Sequence, residues 1–227
     1  MGSLLAASAF FLFIHFGVSG TRWRDALVAR MGEQPYRGAF SLVSILGLLW
    51  MARAYAHAPT LVLWDRPLGL RPTVLVVVFV ATLFVVIGLA TPNPTSVGME
   101  GRLRQGSGAV RGITRITRHP FLWGIALWAL AHLVMNGDVA SLILFGSLLL
   151  LALLGTALID AKRRRLFAGQ WQAFAGSTSN VPFAAIAAGR NQLGAAVREI
   201  GPLRLFIGVA VYAGLFVLHG RFIAPLT

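Results

Sequence analysis

Apolar runs of about 18–22 residues recur along the chain, separated by short polar, arginine-bearing stretches. A helix needs about 20 apolar residues to cross a hydrocarbon core of about 30 Å. Six segments meet or approach that length: 3–20, 39–57, 72–90, 120–136, 139–160 and 204–224. The third is the cleanest, with Pro72 and Pro92 bracketing a run that no charge interrupts. Asn136-Gly137-Asp138 reads as a tight turn, which makes the fourth and fifth segments a helical hairpin. The pattern predicts an all-α, polytopic integral membrane bundle of about six transmembrane helices. It forms a single transmembrane domain over 1–227, with a cytoplasmic or interfacial loop at 161–203.

That loop is too long for a plain connector. Within it, 162–174 (KRRRLFAGQWQAF) has the amphipathic look of a segment lying on anionic headgroups, with Trp171 and Phe174 dipping into the bilayer. The alternative is a snorkelling end of the fifth span followed by loop. The glycines at 98, 101, 106 and 108 predict a flexible, basic loop at 91–112. The N-terminus has no basic lead-in and no clear small-residue cleavage site, so it reads as a retained first span.

Composition narrows the class. The chain is 57% hydrophobic and 12% charged, against about 25% charged in soluble domains. The net charge is +13, and every basic residue except Lys162 is arginine. The arginines lie in loops between apolar runs, not on a soluble face, so nucleic acid is not the expected partner. Fifteen of the twenty basic residues fall in 21–38, 91–119 and 161–203. A six-span topology puts those three connections on one side, which the positive-inside rule makes cytoplasmic. Both termini then face away from the cytoplasm. Cysteine is absent, which excludes disulfides, cysteine-ligated clusters and thiol catalysis.

The chemistry-bearing candidates are histidines. Of His15, His57, His119, His132 and His219, two fall inside apolar runs at depth: His15 in the inner half of the first span and His132 in the outer third of the fourth. A polar ring in hydrocarbon needs a hydrogen bond or a ligand. His57 and His119 mark helix ends, where histidine needs no special reason. Two imidazoles on one iron approach within about 4 Å. By depth His219 matches His132 closely, while His15 lies about 8 Å from that level, a gap that helix tilt absorbs. Both remain open as its partner. Asp160 closes the fifth span beside Lys162 and Arg163 and is expected to pair with a local arginine. No metalloprotease, phosphate-loop or nucleophilic-triad motif is present.

The stretches HFGVSG (15–20), YRGAFSLVS (36–44), GITRITRHPFLWGIALWALAHL (112–133) and NVPFAAIAAGR (180–190) resemble the NnrU family of bacterial membrane proteins. That family shares its domain with 15-cis-zeta-carotene isomerase. The resemblance implies a multi-pass inner-membrane protein linked to nitrite and nitric oxide reduction, with a respiratory or denitrification complex as its expected partner. The isomerase branch implies haem b with axial ligands at His15 and His132. His219, by its depth, and Arg118 and His119, by the methyltransferase likeness below, stand in a second tier. Gly17, Gly124 and Ala131 would then let the macrocycle approach. The sequence departs from the isomerase at Ala129, where that enzyme has a cysteine. Arg118-His119-Pro120, followed about 40 residues later by Asp160, also resembles the S-adenosylmethionine site of isoprenylcysteine carboxyl methyltransferases, without its glutamate pair. Three functions follow as expectations: a haem-binding redox protein or isomerase, a non-catalytic assembly factor for a reductase, and a lipid or isoprenoid methyltransferase.

Overall fold

The structure is a computed structural model that describes residues 1–219. It is helical throughout, and among the described residues the only strand-like pairing is a bridge between Val62 and Asp138. In chain order the helices are α1 (Gly2–Phe13, continued by a π-helical Ile14–Ser19), α2 (Arg22–Met31), α3 (Glu33–Ala56), α4 (Arg71–Ala90), α5 (Pro120–Asn136), α6 (Val139–Ser177), α7 (Ala184–Ala187) and α8 (Leu193–Leu218). Short 3-10 helices occupy Leu68–Leu70, Glu100–Ala109 and Gly112–Arg115. Five helical stretches are long and apolar enough to cross a membrane, and α5, at 17 residues, is a shorter sixth apolar helix. The predicted sixth span, 204–224, ends beyond the described residues.

The chain sorts into two compact units: 1–71 with 129–155, and 72–128 with the chain from 156 onward. Helices α5 and α6 contribute to both.

In the first unit α1 lies along α3. Leu4, Ala7 and Phe11 of α1 and Met51 of α3 are buried, and Gly47 leaves room for the rings of Phe10 and Phe11. Trp50 donates its indole N–H to Ser3 Oγ at 3.1 Å. The segment 21–38, expected to be loop, is helical. Thr21 caps α2 by accepting from Trp23 N–H at 3.2 Å, and α3 begins six residues before the predicted span because a Glu33–Arg37 pair supports its first turn. The expected turn at 136–138 is present. Gly137 takes φ +62, and its carbonyl accepts from Leu63 N–H at 2.7 Å and Trp64 N–H at 3.1 Å. A side chain there would collide with the Trp64 carbonyl. Asp138 caps α6, accepting from Ser141 N–H at 2.9 Å.

In the second unit α4 and the start of α5 touch at backbone distance. A Cβ on Gly124 would lie 2.8 Å from the Ala81 carbonyl and 2.9 Å from Val85 N. Gly124 is therefore spent on helix–helix packing and not on admitting a macrocycle, which corrects its expected role. Phe84, Ile87, Ile113, Ile116, Ala196 and Ile200 form one core. A second core gathers Leu103, Ala109, Val110, Trp171 and Phe174.

That second core overturns two expectations. Residues 91–112 are not a flexible loop: Asn93 and Leu103 are fully buried, and the 3-10 segment packs through Leu103 and Val110. Within 162–174, Trp171 and Phe174 do not dip into lipid. Helix α6 continues through them, leaving helical geometry only at Ala168 (φ 27, ψ −104). Trp171 and Phe174 are 1% and 0% exposed, covered by protein. Most of the supposed loop 161–203 is the end of α6, α7 and the first turns of α8.

Candidate functional site

Two groups of residues carry chemistry, one in each unit. In the first unit, His15 sits in the π-helical turn that ends α1. Its Nδ1 lies 2.8 Å from the Phe11 carbonyl. A carbonyl only accepts, so the proton is on Nδ1 and the lone pair on Nε2. The ring is held between aromatics, Phe11 at 4.5 Å and Phe40 of α3 at 5.2 Å between centroids. Half-buried His132, on α5, lies against Phe145 of α6 at 4.9 Å. Both histidines are thus in the first unit with aromatic neighbours, each on its own helix. His57, at the exposed end of α3, makes the same bond to the Arg53 carbonyl at 2.8 Å, so that bond alone marks no site. His219 closes α8, in the second unit.

The state of His15 is one that a metal-ligating histidine takes. A neutral imidazole whose Nδ1–H is fixed by a backbone carbonyl presents Nε2 as a ligand, and that carbonyl is the partner that ligating histidines commonly use. The ring environment is apolar, which suits a macrocycle. Widened π turns of this sort recur at functional sites. Gly17, one of the three small residues expected to make room, faces the Phe13 ring, which a Cβ would approach to 3.0 Å.

In the second unit, Arg118, His119 and Asp160 meet. The Arg118 guanidinium donates to both Asp160 oxygens, from Nε at 3.0 and 3.1 Å and from Nη2 at 2.5 Å. His119 Nε2–H donates to Asp160 Oδ1 at 2.6 Å. Asp160 therefore pairs across 41–42 residues of sequence, not with a local arginine as expected; the nearby Arg163 turns instead to Glu100 at 2.9 Å. His119 is 2% exposed, so it is not an interfacial histidine. The segment before it is locked by its own backbone. Asn93 Nδ2 and Thr95 Oγ1 donate to the Arg118 carbonyl at 2.9 and 2.7 Å. Arg118 N–H donates to Ser179 O at 2.9 Å, and Thr117 Oγ1 donates to Asn180 O at 2.5 Å. Asn180 O also accepts from the Trp123 indole at 2.8 Å. A neighbouring clamp joins Arg115 to Glu199 at 2.8 Å and to Asn191 at 2.8 Å.

None of Asn93, Thr95, Asn180 or Glu199 was anticipated as part of a site. All four lie far from Arg118-His119-Pro120 in sequence, and no local pattern ties them to it.

Burial pushes the His119 imidazole below its usual value of 6.5; its bond to Asp160 acts the other way, while the charges of Arg118 and Arg163 add to the lowering. These are the charged groups that face it. A group whose folded pKa is depressed contributes stability that is present above its unfolded value and lost as pH falls. The thermal midpoint of the purified protein is therefore expected to drop as pH is lowered from about 6.5. His119→Gln, which keeps an N–H for Asp160, should flatten that dependence; a slope equal to that of the unsubstituted protein in this variant would assign it elsewhere.

No curated protein and no solved structure matches this chain. The profile of one protein family, described as NnrU protein, matches residues 3–225. That span is nearly the whole chain and includes both groups of residues, so the protein is a member of the NnrU family.

Proposed function

We propose that this chain is a haem-binding protein of the bacterial inner membrane, serving redox chemistry connected with nitrite or nitric oxide reduction. His15 and His132 would hold a haem b iron. The observation that carries this reading is the state of His15: an imidazole inside an apolar helix, flanked by two aromatic rings, with Nδ1–H tied to the Phe11 carbonyl and Nε2 left to coordinate. Bound haem would supply a one-electron couple tuned by its axial ligands and its burial. The chain's own part is to fix the tautomer of His15, to set His132 against Phe145, and to keep water from both rings with apolar neighbours. The arginine bias of 21–38, 91–119 and 161–203 supports a cytoplasmic side for those segments and non-cytoplasmic termini. The same arrangement suits a redox isomerase of a polyene.

A second reading, a non-catalytic assembly factor for a respiratory reductase, draws on the character of the second unit. Its polar residues are engaged with one another, as in a scaffold. The methyltransferase reading loses support on the same ground, since Arg118 and His119 are both committed to Asp160.

Absorption spectroscopy of the detergent-purified protein, made with haem supplementation, tests the proposal. A Soret band is expected, lost or shifted in His15→Ala and His132→Ala and retained in His219→Ala. A protein with no Soret band, or one whose band ignores both substitutions, would leave the assembly-factor reading standing instead. Loss in His219→Ala with none in His15→Ala would move the second ligand to His219.

A further inference from the structure

We propose that the second unit carries a binding site for an anionic glycerophospholipid, formed where the 3-10 segment Glu100–Ala109 meets α6 beyond Asp160. A shallow, open cleft of about 450 Å³ lies there at the surface, lined by Arg104, Leu166, Phe167, Gly169 and Gln170. Its lining divides into a cationic and polar part (Arg104, Gln170) and an apolar part (Leu166, Phe167). That division matches a phosphodiester joined to the glycerol ends of acyl chains, and it does not match a free anion, which has no use for Leu166 and Phe167.

Depth places the cleft at the right level. From Val139 to Asp160 helix α6 rises about 32 Å at 1.5 Å per residue, which spans a hydrocarbon core of about 30 Å. Leu166 lies about 9 Å further along the same helix, which a tilt of about 20° brings to the outer edge of the headgroup layer. Leu166 is 47% exposed, as a side chain resting on acyl chains would be.

Charge gives the second argument. No carboxylate lines the cleft. The nearby acids are engaged: Glu100 pairs with Arg163 at 2.9 Å, and Asp160 holds Arg118 and His119. Arg104 makes no ion pair among the described residues. A guanidinium at the headgroup layer, beside an apolar floor and without an internal counter-ion, is matched by a lipid phosphate, which arginine binds with paired N–H donors. The lipid-facing aromatics once expected of this segment, Trp171 and Phe174, are buried. The membrane contact is therefore made at Leu166 of α6 and at Arg104 of the 3-10 segment beside it.

The test is native mass spectrometry of the full chain in neutral detergent with added dioleoyl phosphatidylglycerol or dioleoyl phosphatidylcholine. A retained phosphatidylglycerol adduct is expected, with phosphatidylcholine bound about tenfold more weakly. Arg104→Gln should erase about tenfold of that preference, the size of one charge-assisted phosphate contact. Arg66→Gln, which removes the same charge elsewhere in the chain, should leave it intact. Arg104→Lys keeps the charge and should retain most of the binding, which separates lost recognition from misfolding. Leu166→Gln should weaken both lipids. Equal binding of the two lipids, or equal effects of Arg104→Gln and Arg66→Gln, would overturn the proposal. So would displacement of phosphatidylglycerol by millimolar inorganic phosphate, which would mark a site for free anions.

Discussion

Asp160→Asn is expected to destabilise the protein by about 3–5 kcal/mol, the range for removing one partner of a buried ion pair. The side chains of Asp160 and Arg118 are 9% and 13% exposed, and the carboxylate accepts from Arg118 and from a histidine side chain that is 1% exposed. Replacing it with a neutral amide leaves the guanidinium desolvated and uncompensated. The amide also offers His119 a weaker acceptor. The Arg118 backbone cannot shift to relieve this, because its carbonyl is held by Asn93 and Thr95 and its N–H by Ser179. For a chain of this size the loss corresponds to a fall of roughly 6–20 °C in thermal midpoint, readable as the temperature at which the monodisperse peak disappears in detergent. The pair Arg118→Gln with Asp160→Asn removes both charges and should cost less than the two single substitutions added together. A single Asp160→Asn variant melting within about 3 °C of the unsubstituted protein would mean that the pair is exchanged freely with water.

Much of the membrane architecture was legible because its signals are local. Apolar runs bounded by Pro72, by Pro120 and by Asn136-Gly137-Asp138 marked α4, α5 and the α5–α6 hairpin within a residue or two. Length and hydropathy decide those elements, and no distant residue has to be known. The partner of Asp160 was illegible for the opposite reason. Lys162 and Arg163 are its nearest cations in sequence. On a helix, however, Lys162, two positions on, points to another face; Arg163, nearly one turn on, is taken by Glu100; and the closing partners come from a segment 41–42 residues upstream.

The histidines divide along the same line. The positions of His15 and His132 inside apolar helices could be read from the pattern. That His119 is buried could not, because its burial depends on how 178–183 folds back over 116–118 through Phe183 N–H to Ile116 O and Arg118 N–H to Ser179 O. Gly124 shows the limit in another form. A glycine in an apolar helix announces a close approach, but the sequence does not say to what, and the answer was the backbone of α4.

The segment after Asp160 was half legible, and it yields the second large effect. Phe167, Trp171 and Phe174 recur at helical spacing, so one apolar face was correctly expected. What covers that face was not, because nothing in the largely polar 100–109 announces that Leu103, Ala109 and Val110 pack together against it. The structure buries Trp171 against Leu103, Ala109 and Val110, with the Arg118 guanidinium 5.6 Å from its ring centre. Trp171→Ala should therefore leave a cavity in a protein core and cost about 3–5 kcal/mol, whereas a tryptophan resting on headgroups would cost far less. Because Arg118 also holds Asp160, the loss should couple to the Asp160→Asn effect and not simply add to it. A variant retaining only Trp171 gives an independent reading: its fluorescence should resist quenching by brominated lipids. Strong quenching, or a Trp171→Ala protein with an unchanged thermal midpoint, would return the aromatic face of this segment to the membrane.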